Sequence, residues 1–435
     1  MNCTPGQSLG IPLAIALFIS GCGKKDREPQ PPLPVIGHRL NPDPKFPEGN
    51  NKVKIAEADA PIEEPMGPEK EKSGDPPKPL PEQIRKAWEN AGAGSGWMIR
   101  DQSGFWYYER FHEEKAGDVP AFVWVHWQAG IMAKLPVPQE RFGLNCKDNE
   151  ITDAGLKEVA AYKQLQALDL FGTKVTDTGI KHLVGLKHLQ SLNLAFTKVT
   201  DVGLKHLAGI KGLQSLDIGD TRITNRGLKE LTGLKQLRSL NLSGTVVDDG
   251  GMKELARLKH MRSLLLFNTR VVGWGLKDLD GLKQLRTLSL SGYQVTDTSL
   301  KGLAGLKQLR SLNLERSPVT DAGLKELTEL KQLKWLFLLY TKVSDAGLKE
   351  LTELKELHFL DLSGTRVTDA GLKELRGLKK LQSLDISATK VTDAGLQGLA
   401  ELRQLRTLSL LDTKVTEAGE RELRKALPAL VEVRR

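Results

Sequence analysis

Residues 165–186 have the sequence LQALDLFGTKVTDTGIKHLVGL, and this stretch decides the fold. Leu168 and Leu170 are separated by one polar residue, which is typical of a strand with one buried side. From Ile180 onward an aliphatic residue recurs at every third position, which predicts a helical segment lying on a core. Thr176 or Asp177 stands where such a helix needs an N-cap. The unit is therefore expected to be a strand, a turn and a short helix.

The same unit returns every 24 residues without a slip. The first of its two buried strand residues is aliphatic at residues 144, 168, 192, 216, 240, 264, 288, 312, 336, 360, 384 and 408. A period of this size predicts a solenoid, in which each repeat buries its apolar face only against its neighbours. Strands stack about 4.8 Å apart and helices about 8–10 Å apart, so the helical side must be longer. The sequence therefore predicts an α/β solenoid, curved like a horseshoe, with parallel strands on the concave face and helices on the convex face.

The pattern LxxLxLxxTxVTDxGLxxLxxL resembles the leucine-rich repeat family, and twelve repeats are assigned to residues 142–419. Within the family the chain is most similar to bacterial repeat proteins of planctomycete type and, on its convex side, to the ribonuclease-inhibitor-like class. Threonine fills the slot where most members have asparagine. We expect its buried hydroxyl to satisfy turn backbone groups of the adjacent repeat. These threonines are Thr173, Thr197, Thr221, Thr245, Thr269, Thr341, Thr365, Thr389 and Thr413.

The N-terminus has the features of an export signal, assigned to residues 1–21. Residues 11–19 are apolar but too few to span a bilayer. The following sequence Ile19-Ser20-Gly21-Cys22 resembles a bacterial lipobox. This resemblance implies cleavage before Cys22, a diacylglycerol on its thiol, and an exported lipoprotein anchored in the cell envelope. The basic residue that usually precedes the apolar core is missing, and a cytosolic chain with an accidental apolar start is the alternative.

Residues 22–83 are predicted to be a disordered, proline-rich linker. Residues 23–83 hold 14 of the 21 prolines, mixed with charged residues, and cannot bury enough apolar surface to fold. A flexible tether of this length would hold the folded part about 45 Å from the lipid.

Residues 84–141 contain five of the seven tryptophans. Their pattern predicts a hairpin from residues 97–100 and 105–108 and a third strand from residues 121–126. One interpretation is a small aromatic-rich β cap that shields the first repeat. The other is an independent ligand-binding module, although its core would be small. At the other end, residues 420–435 are predicted to be a C-terminal cap with a helix and a final strand.

Binding residues are expected where the repeat departs from its own pattern at exposed positions. Side chains that flank the two strand leucines should face the concave side, and most of them are small or polar. The exceptions are Trp335, Phe337, Leu339, Tyr340, Phe359, Glu315 and Arg316. Exposed aromatic residues beside an acid and a base are typical of a binding hot spot. We therefore predict a protein partner here, and the alternative is a self-packing patch or a dimer contact.

A smaller departure occurs in the repeat that contains Leu265, Phe267 and Trp274. Trp274 stands where other repeats have alanine. These residues extend the predicted binding surface or fill a local void.

Sequence motifs for catalysis, phosphate binding and zinc binding are missing. His182, His188 and His206 fall on the predicted convex side without the spacing of metal ligands. We therefore expect no enzyme, no cofactor and no metal. Cys146 takes a strand position that is aliphatic in other repeats, and should be a small core residue.

The sequence thus predicts a lipid-anchored scaffold that binds a protein partner through its concave strands. A second hypothesis uses the net charge of +9 and two lysine columns, which begin at Lys157 and Lys163 and recur every 24 residues, to bind an envelope polymer or nucleic acid. Acidic columns interleave with the lysines, which favours a solvated outer face instead. A third hypothesis places enzymatic activity in residues 84–141.

Overall fold

The computed structural model describes residues 78–112, 115 and 117–435, and these residues form one sheet of sixteen strands. The predicted signal peptide, the lipidation site at Cys22 and the linker before residue 78 lie outside the described residues. The strands are β1 (Ala93–Arg100), β2 (Trp106–Glu109), β3 (Val119–Trp124), β4 (Phe142–Asn145), β5 (Leu165–Asp169), β6 (Ser191–Asn193), β7 (Ser215–Asp217), β8 (Ser239–Asn241), β9 (Ser263–Leu265), β10 (Thr287–Ser289), β11 (Ser311–Asn313), β12 (Trp335–Phe337), β13 (Phe359–Asp361), β14 (Ser383–Asp385), β15 (Thr407–Ser409) and β16 (Glu432–Arg434).

Strands β3 to β16 are parallel and follow chain order, and β1 pairs antiparallel with both β2 and β3. Equivalent leucines are opposite one another, as Leu312 is opposite Leu288 and Leu336. Residues 24 positions apart in the sequence are therefore paired on neighbouring strands. The predicted leucine-rich solenoid fold is confirmed, with the antiparallel strands β1 and β2 added at one end.

Short helical segments connect the strands on the convex side. The α-helices are α1 (Glu82–Asn90), α2 (Asp153–Val159), α3 (Asp177–Ile180), α4 (Asp201–Leu207), α5 (Asn225–Leu231), α6 (Met252–Leu255), α7 (Asp297–Leu300), α8 (Asp321–Lys325), α9 (Asp345–Leu351), α10 (Asp369–Leu372), α11 (Asp393–Leu396) and α12 (Glu417–Ala426). Further 3₁₀ segments span Met132–Lys134, Lys181–Gly185, Asp249–Gly251, Leu276–Gly281, Lys301–Leu303, Lys373–Gly377 and Gln397–Leu399. The spacing of three between buried leucines suits 3₁₀ geometry, which has three residues per turn.

The slot threonines bond within their own repeat, contrary to the expectation that they satisfy a neighbour. Thr173 Oγ1 donates to the carbonyl of Leu170 at 2.7 Å, and the other slot threonines bond the carbonyl three residues earlier in the same way. Successive repeats are instead linked by aspartates at the start of the convex helices. Asp297 Oδ1 accepts the backbone N–H of Thr320 at 2.8 Å, and its Oδ2 accepts the Thr320 hydroxyl at 2.6 Å. The sequence did not distinguish these roles because both columns repeat at 24.

The N-terminal segment shares the core of the repeats. Trp88 of α1 stacks on Phe122 at a ring-centroid distance of 4.2 Å, and both belong to a hydrophobic cluster that continues to Leu430. The hydroxyl of Tyr162 donates to the carbonyl of Met132 at 2.6 Å. Helix α1 begins at Glu82, so the predicted end of the linker at residue 83 is too late. Residues 84–141 therefore contribute to the core of the repeats, and Met98, Trp106, Val119 and Ala121 form a second small cluster with Ala167.

The β1–β2 hairpin also lies across the inner wall, defined here as the face of strands β5–β15 that is opposite the helices. Its tip reaches β8, where the Ser239 hydroxyl donates to the carbonyl of Ser103 at 2.7 Å. Gly104 at the tip has φ +84°, and a Cβ there would lie 2.5 Å from Ser239 Oγ, so glycine is needed for this approach. Nearer the base, Trp106 packs in one cluster with Ala167 of β5. The hairpin therefore does more than cover the first repeat.

Candidate partner-binding site on the inner wall

Burial along the strands divides the inner wall into two parts. The first residue of each strand is buried from β5 to β9, as in Ser215 and Ser263. The equivalent residues are half-buried from β10 to β15, as in Thr287 and Ser383. This change follows the hairpin, whose tip ends on β8. The accessible inner wall is thus the part formed by β10–β15.

An aromatic patch lies in the middle of the accessible part, and it consists of Trp335, Phe337, Leu339, Tyr340 and Phe359. In register, Trp335 is opposite Phe359, and the rings of Phe337 and Phe359 are 4.9 Å apart. Tyr340 is 55% exposed and the other four side chains are half-buried. The structure therefore brings together the predicted residues of β12 and β13, and solvent still reaches their side chains.

Tyr340 has a backbone conformation that repeats around the wall. Its φ is +53°, and the equivalent residue of the next repeat, Gly364, has φ +65°. A Cβ on Gly364 would collide with the Tyr340 ring, so the glycine leaves room for this ring on the neighbouring turn. The guanidinium of Arg316, on the other neighbouring turn, lies 5.9 Å from the Tyr340 ring centroid. The tyrosine is thus positioned from both sides.

Glu315 does not form the exposed half of an acid–base pair, as the sequence suggested. Its side chain is buried, with 7% of its surface exposed, and its Oε1 has no hydrogen-bond partner among the described residues. Burial, and to a smaller extent the charge of Asp361, raise the pKa of Glu315 to about 7, although Asn313 and Arg316 act to lower it. Burial likewise raises the pKa of Asp361 to about 6, although the Ser363 hydroxyl and backbone N–H donate to its carboxylate. The wall beside the patch therefore carries protonatable acids.

Replacing Glu315 by glutamine should raise stability at pH 8 and leave it nearly unchanged at pH 4.5. The ordinary pKa of 4.5 rises to about 7 in the folded chain, so the folded state holds a proton that the unfolded state loses between these values. Folding stability therefore falls across this window, and Glu315→Gln should recover on the order of 3 kcal/mol at pH 8. Urea unfolding at both pH values measures the difference.

Glu329→Gln is the matched control, because Lys307 lowers the pKa of the exposed Glu329 and its neutralisation cannot raise stability at pH 8. Equal unfolding midpoints for Glu315→Gln and the parent chain at pH 8 would contradict this prediction. They would show that ionising Glu315 costs no folding free energy.

The second predicted group lies apart from the aromatic patch. Leu265 is half-buried on β9, and β10 and β11 separate it from β12. Phe267 is partly exposed on the turn after β9. Trp274 is 70% exposed and follows that turn on the way to the convex segment, so it does not fill a void.

Sequence reasoning missed a basic column along the inner wall, which consists of Arg238, Arg262, Arg286, Arg310 and Lys334. Each residue immediately precedes one of the strands β8–β12. The backbone N–H of each member after the first donates to the carbonyl of the member before it, at 2.7–2.8 Å. The signal was present as a 24-residue register, but it was overlooked because structural columns share that register.

The lysine columns lie on a different surface, and several of their lysines form ion pairs with glutamates. Lys307 Nζ is 2.9 Å from Glu329, Lys331 Nζ is 3.0 Å from Glu353, and all four side chains are exposed. Lys379 makes the same contact with Glu401 at 2.8 Å. Such exposed pairs contribute little stability, but they offset the positive charge of the column. This pairing favours the solvated outer face over a polymer-binding ridge.

The described residues contain neither a metal-binding cluster nor a membrane-spanning helix. Within residues 78–112, 115 and 117–435, no cluster of His, Cys, Asp or Glu has the arrangement of a metal site. In the same part of the chain no helix combines the length and apolar character needed to cross a bilayer. The Cys146 side chain is buried, and burial raises its thiol pKa well above the usual range, which agrees with a small core residue.

Family models identify the repeats directly. A model described as a leucine-rich repeat region matches residues 260–435, and one described as a leucine-rich repeat matches residues 187–247. The chain is therefore a leucine-rich repeat protein. The comparison with curated proteins found no match.

Solved structures with similar folds include bacterial and plant proteins. An internalin from Listeria monocytogenes is 22% identical with TM-score 0.49, and the alignment covers 63% of this chain and 82% of the internalin. A leucine-rich repeat protein of Leptospira interrogans is 21% identical with TM-score 0.37, covering 68% of this chain and 95% of that one. The ectodomain of a membrane receptor kinase from Arabidopsis thaliana, in complex with Casparian strip integrity factor 2, is 17% identical with TM-score 0.39; the alignment covers 68% of this chain and 44% of the plant chain.

Proposed function

We propose that the chain is a protein-binding scaffold whose partner docks on the accessible inner wall and buries the aromatic patch. The leucine-rich repeat fold supports a protein-binding role in general terms. The observation that carries the specific proposal is the placement of Trp335, Phe337 and Phe359 on the part of the wall that the hairpin leaves uncovered. Large aromatic side chains with solvent access at the centre of a polar surface are typical binding anchors.

The proposal includes a lipid anchor and an extracytoplasmic location. Its support is the apolar stretch at residues 11–19 and the lipobox-like sequence that ends at Cys22. The proline-rich residues 23–83 would then act as a spacer between the membrane and the repeats. The resemblance to bacterial proteins of planctomycete type, and on the convex side to the ribonuclease-inhibitor-like class, is part of the same proposal.

Site-specific photocrosslinking in native membranes tests where the partner docks. A benzoylphenylalanine at Ser383, opposite Phe359 on the next strand, should crosslink the partner in high yield. The same probe at Lys349, in the convex helix α9, is the matched control and should crosslink it weakly. Equal yields at the two positions, or a higher yield at Lys349, would contradict docking on the inner wall.

A further inference from the structure

Acidic side chains stand on both sides of the aromatic patch. Glu315 follows β11, Asp361 is the last residue of β13 and Asp385 is the last residue of β14. Asp361 is directly opposite Phe337 in register, so β12 and its rings lie between Glu315 and Asp361. Strands β11 and β13 are two strand spacings apart, roughly 10 Å, and the charge of Asp361 still raises the pKa of Glu315. The patch is therefore an apolar surface bordered by acids.

Glu315 and Asp361 each keep a carboxyl oxygen without a hydrogen bond. The side chain of Glu315 is buried, and its Oε1 has no partner among the described residues. The Ser363 hydroxyl and backbone N–H both donate to Oδ1 of Asp361, so Oδ2 accepts no hydrogen bond from the part of the chain that the structure describes. A buried carboxylate that lacks a compensating charge is costly, and groups of this kind cluster at functional sites.

The bases around the patch do not offset these two acids. Three of them precede the strands of the patch, at the opposite strand end from Glu315, and they are Arg310, Lys334 and His358. The Arg316 guanidinium lies 5.9 Å from the Tyr340 ring centroid, and it lowers the pKa of Glu315 less than burial raises it. Asp361 has no base among the groups that shift its pKa, and the charge of Asp385 raises this pKa further. The side of the patch that faces the acids therefore favours positive charge.

A partner that covers the patch must remove water from Glu315 and Asp361. This loss of water raises the free energy of the ionised carboxylates again. A neutral partner would therefore dock only with the acids protonated, whereas a cation would offset their charge. The rings of Phe337 and Phe359, 4.9 Å apart, also attract a cation that lies over a ring face. Positive charge next to apolar area is thus the chemistry that suits this surface.

We propose that the partner places a basic side chain, an arginine or a lysine, between Glu315 and Asp361, while its apolar neighbours cover the aromatic patch. This inference rests on the proposed function and specifies the partner's chemistry. The chain has a net charge of +9, so overall charge repels a cationic segment and the attraction must come from the local pair of acids. A guanidinium can donate two parallel hydrogen bonds to a carboxylate and stack on an aromatic ring.

Fluorescence anisotropy with the whole chain and a rhodamine-labelled peptide of alternating leucine and arginine tests this chemistry. The matched peptide has citrulline in place of arginine, which keeps the shape of the side chain and removes its charge. We expect the arginine peptide to bind at least tenfold more tightly at pH 8, and Glu315→Gln with Asp361→Asn should abolish this difference. Glu353→Gln with Glu401→Gln is the matched control, because both acids are exposed and paired with outer lysines, and it should change binding less than twofold. Circular dichroism confirms that both variants fold.

The pH dependence of binding gives a second measurement. Glu315 and Asp361 have pKa values of about 7 and about 6, and only the ionised acids attract a cation. The arginine peptide should therefore bind at least tenfold more weakly at pH 5 than at pH 8. His358, whose ring is 6.5 Å from that of Trp335, is the other titratable group beside the patch and is retained in the acid double variant. That variant should bind the arginine peptide equally at the two pH values.

Three results would overturn the proposal. The arginine peptide fails to bind the parent chain at pH 8, or the citrulline peptide binds as tightly. The third is a pH dependence that persists in the acid double variant, which would assign the effect to His358. Capture of the natural partner that requires Trp335 and Phe337 but tolerates Glu315→Gln with Asp361→Asn would refute the cationic chemistry and leave the proposed function intact.

Discussion

Replacing Trp335 and Phe337 together by alanine is expected to weaken partner binding at least a hundredfold, which corresponds to about 3 kcal/mol. Both rings are half-buried, and Phe337 contacts Phe359, so the pair offers a pre-positioned apolar surface with little side-chain entropy to lose. The backbone of β12 bonds to both neighbouring strands through Leu336 and its flanking residues. The strand should therefore persist without the rings.

The measurement is capture of the partner that crosslinks at Ser383, quantified over a concentration series. Phe171→Ala with Phe196→Ala is the matched control, because these two rings are also a contacting pair, 5.0 Å apart, on turns remote from β12. The control should bind like the parent chain, and both variants should keep the parent's urea midpoint closely. If the Trp335 and Phe337 variant captures the partner normally, the aromatic patch is not the anchor.

Asp249→Ala should cost about 4 kcal/mol of folding stability, the largest effect we expect from a single substitution outside the leucine core. The carboxylate is only 2% exposed and accepts three backbone N–H groups of the next repeat, from Val272, Gly273 and Gly275 at 2.6–2.9 Å. Alanine leaves all three donors without this acceptor; Gly273 and Gly275 are buried and Val272 is half-buried, and each orphaned buried donor costs roughly 1–3 kcal/mol.

Asp248→Ala is the matched control, because the neighbouring acid is exposed and caps the same segment by accepting the Gly250 N–H at 2.8 Å. Losing such a cap costs about 1 kcal/mol. Urea unfolding gives the two free energies, and hydrogen exchange should show lost protection at Gly273 and Gly275 in the first variant alone. Equal destabilisation by the two substitutions would mean that water replaces the Asp249 contacts.

The repeat architecture was predictable because its information is local and periodic. Every strand from β5 to β15 contains the leucine expected from the 24-residue register. Thr176, one of the two residues expected to cap α3, accepts the Thr178 N–H. The hairpin strands were also predictable from the apolar and aromatic residues of 97–100 and 105–108, which lie on either side of residues 101–104. These structures are determined by residues that are close in sequence or in the adjacent repeat, so their patterns can be recognised in the sequence alone.

The position of the hairpin on the inner wall was not predictable, because its contact partner carries no distinguishing signal. Ser239 has the same residue type and register as Ser191 and Ser215. The burial of Glu315 was missed for a related reason: its pKa depends on desolvation and on Asp361, two repeats later. The aromatic patch was predictable because tryptophan and phenylalanine are apolar residues at positions where the other repeats have polar residues. The arginines of the basic column are polar residues in a column that is polar throughout, so they did not stand out.

The contact between Ser103 and Ser239 joins residues 136 positions apart in a molecule whose other contacts are mostly between adjacent repeats. A stack with nearest-neighbour contacts alone can fray from either end, one repeat at a time. Here β5–β8 cannot lose their packing without releasing the hairpin, so this end should open as one cooperative unit, while β10–β16 remain free to fray stepwise from the C-terminus. The folding nucleus for the N-terminal unit must then include a contact of high sequence separation, which slows folding but protects that end from proteolysis.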